Sequence, residues 1–155
     1  MNTTVVSTPI GKLLLEEENG KLVKCLPTRK KLVSKTTSPT LKITTVALKK
    51  YFAGDKDALN KIPIKLNGTD FQIKVWKEIK KIKYSKTKSY SELAKTINKE
   101  KAVRAVGTGC GKNQLLLFIP CHRVLGKNNK LGGFSAGVEK KRFLLEHEGA
   151  LPSSP

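Results

Sequence analysis

Two helix-start signals in the second half of the chain limit its fold most strongly. Thr69-x-x-Gln72 and Ser89-x-x-Glu92 both fit a capping box, in which two side chains satisfy backbone N–H groups that the first helical turn leaves free. The second box opens a short apolar pattern that reaches Ile97, and a turn at Asn98-Lys99 leads directly into another apolar pattern. Two short helices joined by so few residues predict a helix-turn-helix.

The second helix of this pair is predicted to begin near Lys101, to present Arg104 and to end in glycines at 107, 109 and 111. Glycines at such positions let another backbone or a ligand approach closely. For Arg104, a solvated surface charge and a nucleic-acid contact are equally good interpretations. Further along, the basic segment Lys127–Lys130 predicts a wing or a hairpin tip, and a last helix is predicted from Val138 to His147.

The first part of the chain has the pattern of a small α+β unit. Asn19-Gly20 is typical of a β-hairpin turn, here between Lys12–Glu17 and Lys21–Cys25. Ser38-Pro39 then predicts an N-cap with proline at the first helical position, and the helix is expected to run to Phe52.

The stretch from 55 to 63 resembles a linker, which places a domain boundary near Ile64. The predicted fold class is therefore α+β. A small N-terminal α/β domain over 1–63, with a hairpin-containing sheet plus a helix, is followed by a mostly helical winged helix-turn-helix domain over 64–155. The tail is predicted to be disordered from about residue 151.

Charge suggests the partner. The chain has 31 Lys and Arg against 12 Asp and Glu, a formal net charge of +19, so a polyanion is the expected partner and nucleic acid the commonest one. A membrane surface is the competing interpretation, but the sequence has no apolar stretch near the roughly 18 residues needed to span a bilayer. The N-terminus also lacks a signal-peptide pattern, and we expect an intracellular protein.

The pentapeptide Pro120-Cys121-His122-Arg123-Val124 follows an apolar run and is the main candidate for chemistry. A thiolate is the reactive form of cysteine, and cationic neighbours lower the thiol pKa from roughly 8.5. We therefore expect Cys121 to be a nucleophile, and the alternative is a small core residue. Adjacent side chains of an extended segment point to opposite faces, so His122 is expected to reach the sulfur through a water or a turn.

The other cysteines, Cys25 and Cys110, make an odd total of three at wide spacing, which argues against a disulfide framework. The chain has two histidines and no Cys-x-x-Cys pair, so local motifs cannot supply a zinc site. No metal or other cofactor is expected.

With these pieces in order, the sequence resembles the O6-alkylguanine-DNA alkyltransferases, also called methylated-DNA–protein-cysteine methyltransferases. No single motif is specific, but their order and spacing together are. The matching segments are Tyr51-Phe52-Ala53-Gly54, Gly68-Thr69-Asp70-Phe71-Gln72, Val75-Trp76, Ser89-Tyr90, Leu93-Ala94, Ala102-Val103-Arg104-Ala105-Val106-Gly107, Asn113, Pro120-Cys121-His122-Arg123-Val124, Gly132-Gly133 and His147-Glu148-Gly149.

The resemblance implies direct-reversal DNA repair. Such a protein binds duplex DNA, flips O6-alkylguanine out of the stack and moves the alkyl group irreversibly onto a cysteine, here Cys121; O4-alkylthymine is a second candidate substrate. It would be a methylated-DNA–[protein]-cysteine S-methyltransferase that acts once per molecule. The expected partner is double-stranded DNA carrying the lesion, with no membrane and no obligate protein partner. We expect a monomer in the cytoplasm, or in the nucleus if the source is eukaryotic.

The resemblance also implies residue roles. His122 would act as the base through water, Glu148 would hold its imidazole, and Tyr90 would protonate the leaving guanine at N3. Asn113 would brace the active-site turn, and Arg104 would fill the gap in the base stack. The remaining expected DNA contacts are Lys101, Ala102, Ala105 and Arg123, and the expected pocket residues are Val124, Phe134, Ser135 and Ala136.

The chain departs from the family pattern in two places. Gln114 and Leu116 stand where the family often has prolines. Phe134 and Ala136 stand where it often has tyrosine and glycine. Because the second pair changes the pocket rim, we expect methyl and small alkyl groups to be accepted and O6-benzylguanine to react poorly.

Three rival functions are compatible with parts of the sequence. A damage sensor would flip alkylated bases without repair, although such proteins replace the cysteine that is present here. A winged-helix regulator would explain the charge and leave Cys121 without a role. A cysteine hydrolase would need an oxyanion hole and gives no reason for so basic a chain.

Overall fold

A computed structural model describes residues 1–32 and 36–151. The chain divides into two compact units, one of residues 1–67 with 114–118, and one of residues 68–113 with the chain from 119 onward. The sequence suggested a single division near Ile64 and gave no sign that 114–118 belongs with the N-terminal residues. The tail predicted to be disordered lies, after Leu151, outside the described residues.

The first unit contains an antiparallel sheet of three strands in the order β1 (Asn2–Thr8), β2 (Gly11–Glu18) and β3 (Lys21–Pro27). The turn between β2 and β3 has positive φ at both Asn19 and Gly20, which is the backbone that an Asn-Gly hairpin turn requires. The hairpin prediction is confirmed, whereas β1 was not predicted.

Helix α1 (Pro39–Phe52) covers this sheet and begins as the sequence predicted. The Ser38 side chain accepts a hydrogen bond from the backbone N–H of Leu41, and proline occupies the first turn. Gly54 follows the helix with φ +108, a conformation that favours glycine. The α1 side chains Leu41, Leu48 and Tyr51 are almost fully buried, together with Leu13 and Leu15 of β2.

The segment 114–118 lies beside β3. The backbone N–H of Cys25 donates to the carbonyl of Gln114 at 2.8 Å, and the N–H of Leu116 donates to the carbonyl of Cys25 at 3.0 Å. Proline has no N–H group and could not make the second bond. A proline at 116, which the family often has, would lose this bond.

The second unit is mainly helical. Its helices are α2 (Asp70–Lys80), α3 (Tyr90–Thr96), α4 (Val103–Gly111) and α5 (Val138–His147). Both predicted capping boxes are formed, at the starts of α2 and α3. A turn and a short 3-10 segment, Glu100–Ala102, connect α3 to α4, so the predicted helix-turn-helix and the α+β fold class are confirmed.

Helix α2 packs against α4 at Gly109. The indole Nε1–H of Trp76 donates to the carbonyl of Gly109 at 2.9 Å, and Val75 lies against the same glycine. Since Gly109 has no side chain, the two helices approach closely enough for this bond.

A turn stands where the basic wing or hairpin tip was predicted. It follows strand β5 (Val124–Leu125), which pairs in parallel with β4 (Lys88–Ser89). After β5 the chain makes a turn closed by the N–H of Gly126 and the carbonyl of Lys130 at 2.7 Å. The segment Lys127–Lys130 forms this turn, with a short 3-10 segment at Lys127–Asn129.

Candidate active site

Cys121 opens a single 3-10 turn, Cys121–Arg123, that follows a fully buried run. Its N–H donates to the carbonyl of Ile119 at 2.7 Å, and the N–H of Arg123 donates to the carbonyl of Pro120 at 2.9 Å. The sequence suggested either a water or a turn between His122 and the sulfur, and the backbone here is a turn.

Asn113 holds this turn from inside. Its Nδ2 donates to the carbonyl of Ile119 at 2.8 Å and to Sγ of Cys121 at 3.2 Å, and its side chain is buried. One amide therefore contacts both the backbone before the cysteine and the sulfur itself.

The thiol of Cys121 is 5% exposed. Burial raises its pKa, while the hydrogen bond from Asn113 and the charge of Lys141 act in the opposite direction. The expectation that His122 and Arg123 lower this pKa is therefore wrong. Burial outweighs the positive charge nearby, so the resting cysteine is a thiol that must lose a proton to react.

His122 and Glu148 form a buried pair. Nε2 of the imidazole lies 2.7 Å from Oε2 of Glu148, and both side chains are almost inaccessible to solvent. Burial alone would raise the pKa of Glu148, but the hydrogen bonds and charges of His122 and Arg123 outweigh it and hold that pKa far below its usual range. Because the carboxylate is ionised, it accepts a hydrogen bond from Nε2–H.

Arg123 faces inward. Its Nε and Nη2 donate to the two oxygens of Glu148 at 2.7 and 3.0 Å, and Nη1 donates to the carbonyl of Ile82 at 2.7 Å. The guanidinium also lies over the Tyr84 ring, 5.7 Å from its centroid, and the side chain is 11% exposed. The sequence predicted a DNA contact for Arg123, and its position is a correction to that prediction.

Lys141 is a site residue that the sequence reasoning missed. Its side chain is fully buried, and its Nζ donates to the carbonyl of Val124 at 2.7 Å. One signal in the sequence could have revealed it: Lys141 stands three and four residues before Leu144 and Leu145, which places all three on the buried face of α5.

A cavity of about 790 Å³ is lined by five of the predicted residues: Tyr90, Arg104, Cys121, Phe134 and Ser135. Phe134 and Ser135 line it, whereas Val124 and Ala136 are not among its lining residues. Tyr90 lines it from the start of α3, and burial, followed by Cys110 and Cys121, raises the pKa of its phenol to about 12. The cavity lining comprises Tyr90, Val103, Arg104, Gly107, Thr108, Cys110, Gly111, Cys121, Gly133, Phe134 and Ser135.

Arg104 lies near the start of α4 with an exposed side chain and also lines this cavity. Lys101 and Ala105 are exposed, and Ala102 is half-buried. These predicted DNA contacts form one continuous stretch across the 3-10 segment and the first turn of α4.

Two kinds of feature are absent from the described ranges, 1–32 and 36–151. No group of three or more His, Cys, Asp or Glu side chains is arranged to hold a metal ion. No helix in this part of the chain is long and apolar enough to cross a membrane.

The second unit thus combines a helix-turn-helix, a motif common in nucleic-acid-binding proteins, with a buried cysteine at the edge of a cavity. This combination defines a class of nucleic-acid-binding proteins that carry a cysteine beside the binding motif. Residues 70–150 match the family model for the DNA binding domain of 6-O-methylguanine DNA methyltransferase. The chain belongs to the 6-O-methylguanine DNA methyltransferase family.

Similar proteins span nearly the whole chain. A probable methylated-DNA–protein-cysteine methyltransferase of Acanthamoeba polyphaga mimivirus is 37% identical over 150 residues, 96% of this chain and 97% of that protein. The methylated-DNA–protein-cysteine methyltransferase of Haemophilus influenzae is 37% identical over 152 residues, 94% of this chain and 84% of the relative. The crystal structure of Mycobacterium tuberculosis OGT in complex with DNA has a TM-score of 0.85 and 35% identity, with coverage of 97% and 94% of the two chains.

Proposed function

We infer that this protein repairs DNA by direct reversal. It binds duplex DNA, takes O6-alkylguanine out of the stack and transfers the alkyl group to Cys121, as a methylated-DNA–[protein]-cysteine S-methyltransferase. The observation that carries the inference is that Sγ of Cys121 borders a cavity formed partly by the helix-turn-helix. Membership of the methyltransferase family supports the reaction type.

The transfer moves one alkyl group and one proton in opposite directions. The thiol proton of Cys121 passes through water to Nδ1 of His122, and Sγ attacks the alkyl carbon as its bond to guanine O6 breaks. The guanine takes a proton at N3 from the Tyr90 phenol, which is restored by a proton from solvent, and the imidazolium releases its proton. The products are guanine and an S-alkylcysteine.

The environments of these groups suit their roles. The phenol of Tyr90, with a pKa of about 12, stays protonated at neutral pH and can donate. Desolvation lowers the pKa of His122 despite the opposing effect of Glu148, so the imidazole is available as a base. A carboxylate that orients a histidine beside a nucleophile follows the general logic of a catalytic triad.

DNA binding is assigned to α3 and α4. Arg104 supplies the side chain that takes the place of the flipped base, and Lys101, Ala102 and Ala105 face the duplex with it. Flipping costs a few kcal/mol and is cheaper for a damaged base, which gives part of the selectivity. Because a thioether is a poor leaving group, each molecule acts once.

Intact-protein mass spectrometry tests this proposal. After mixing with a duplex that contains one O6-methylguanine, the wild type gains the mass of one methylene, and peptide mapping places it on Cys121. Cys121→Ser gains none. Cys110→Ser is the matched control, because Cys110 lines the same cavity and is not the proposed acceptor; it gains the methylene like the wild type. Tight lesion binding without a mass change would make the protein a damage sensor and overturn the proposal.

Three further properties stay predictions: action as a monomer, the lack of an obligate protein partner, and a cytoplasmic location, or a nuclear one if the source is eukaryotic. Whether O4-alkylthymine is also repaired is tested by the same mass measurement on a duplex with that lesion.

A further inference from the structure

The buried carboxylate of Glu148 contacts two side chains, the imidazole of His122 and the guanidinium of Arg123. Its Oε2 lies 2.7 Å from Nε2 of His122, and Arg123 donates to both of its oxygens. The third Arg123 bond, to the carbonyl of Ile82, and the ring of Tyr84 hold the guanidinium in place. Arg123 therefore fixes the orientation of the carboxylate that contacts the histidine.

This arrangement determines which imidazole nitrogen is basic. An ionised carboxylate can only accept, so the proton of a neutral His122 sits on Nε2 and the lone pair on Nδ1. Nδ1 is buried and has no hydrogen-bond partner among the residues that the structure describes. A neutral imidazole in this tautomer can take a proton only at Nδ1.

Arg123 also balances charge. A buried carboxylate paired with an imidazole alone favours the imidazolium, which cannot act as a base. The fork of Arg123 neutralises Glu148 and repels a positive charge on His122. The charged or titratable groups around His122 are Glu148, Arg123, Lys141 and the adjacent Cys121, with Tyr84 beyond the guanidinium.

We propose that Arg123 is a positioning residue for alkyl transfer: by holding and neutralising Glu148, it keeps His122 uncharged, with Nδ1 as the basic atom. This rests on the proposed role of His122 as the base. Arg123 itself does not touch the reacting atoms. A purely structural arginine would affect folding and would leave the protonation of His122 unchanged.

The first test is a titration of the His122 imidazole nitrogens by isotope-edited NMR in the wild type. We expect the neutral Nε2–H tautomer at pH 7 and a titration midpoint below the ordinary histidine value. A doubly protonated His122 at pH 7 would overturn the proposal. Since this readout requires no alkyl transfer, it is independent of the proposed function, which fails instead if wild-type Cys121 is not alkylated.

The second test is the pH dependence of the alkyl-transfer rate. Arg123→Gln removes the opposing charge, so the His122 midpoint and the acidic limb of the rate profile should both move upward by about one pH unit. At a pH below the limb, this corresponds to a roughly tenfold slower transfer that is largely recovered at higher pH. Arg142→Gln is the matched control, an exposed arginine on α5, and should leave both readouts unchanged.

Arg123→Lys keeps the charge but cannot hold both carboxylate oxygens, so it should move the limb upward by less than Arg123→Gln. If Arg123→Gln does not fold, the lysine variant decides by the same two readouts. If the transfer rate fell by the same factor at every pH while the His122 midpoint stayed unchanged, the role of Arg123 would be merely structural and the proposal would be contradicted.

Discussion

The ammonium group of Lys141 donates a hydrogen bond to the carbonyl oxygen of Val124 at 2.7 Å in a fully buried site. Burial lowers the pKa of Lys141, and Cys121 and Cys110 raise it in turn. The lysine and the nucleophile are therefore electrostatically coupled, and the charge of Lys141 lowers the pKa of the Cys121 thiol.

Replacing this lysine should slow alkyl transfer without unfolding the protein. In Lys141→Met the thiol pKa of Cys121 rises, and a rise of about one pH unit makes transfer roughly tenfold slower at neutral pH. Methionine fills a similar volume and removes the desolvation cost of a buried charge, so the free energy of unfolding should change by less than about 1.5 kcal/mol. Single-turnover rates against pH and urea denaturation measure the two effects; an unchanged rate profile would contradict the coupling.

Glu148 should make the stability of the fold sensitive to acid. Its pKa in the folded state lies below the ordinary carboxyl value of 4.5, so its contribution to stability is complete above that value and is lost as the pH falls through the folded pKa. The wild type should therefore lose stability steadily below about pH 4.5, measured as the shift of the urea midpoint between pH 7 and acidic pH.

Glu148→Gln tests the origin of that loss. Removing one partner of a buried ion pair leaves Arg123 uncompensated, at a cost of about 3 kcal/mol at pH 7, and the dependence on acid should become shallower. Glu139→Gln is the matched control, since this exposed residue lies on the same helix and should retain the wild-type acid profile. Equal acid sensitivity in Glu148→Gln and the wild type would exclude Glu148 as the source.

Much of the architecture could be predicted because its signals are local. Each capping box and the Asn19-Gly20 turn places its partners within three residues, so the sequence itself carries the evidence. The helix from Val138 to His147 was predicted with the bounds that the structure has. The Pro120–Val124 motif was recognised because its residues are adjacent in the sequence.

The rest depends on contacts between distant residues. Arg123 bonds to the carbonyl of Ile82, 41 residues away in the sequence, and no local pattern indicates that its guanidinium faces inward. Lys141 was missed because lysine is almost never fully buried without a partner, and its partner is a backbone carbonyl. The raised pKa of Cys121 arises from burial, which the charge of its neighbours in the sequence does not reveal.

Arg104 should matter for DNA and not for the chemistry of the thiol. If it occupies the space left by the flipped base, Arg104→Ala should slow transfer from a methylated duplex by about tenfold or more. Transfer from a free O6-alkylguanine base should be unchanged, because no base has to be flipped. Parallel single-turnover assays on the two substrates measure this, and an equal loss on both would place Arg104 in the chemical step instead.

Lys101 should contribute charge without sequence or lesion preference. Lys101→Ala should weaken binding to methylated and unmethylated duplexes alike and reduce the slope of log K against log salt by about 1. Fluorescence anisotropy over a salt series measures the slope. A Lys42→Ala variant is the control, because that exposed lysine lies on α1 in the other unit; an equal change of slope there would assign the effect to net charge alone.

Gly68 should be the glycine least tolerant of a side chain in the second unit. A Cβ at this position would lie 2.6 Å from two ring atoms of Trp76 and 2.7 Å from Oε1 of Gln72. The Trp76 ring is buried and held by its bond to Gly109, so it cannot move freely aside. Gly68→Ala should therefore lower the free energy of unfolding by about 1–3 kcal/mol.

Gly111 provides the contrast. A Cβ there meets no atom within 4 Å, and alanine favours helix by up to about 1 kcal/mol over glycine, so Gly111→Ala should be neutral or slightly stabilising. Urea denaturation with a common m-value compares the two variants directly. If Gly68→Ala were as stable as Gly111→Ala, the Trp76 ring would have to shift without cost, and its hydrogen bond to Gly109 would not anchor α2 on α4.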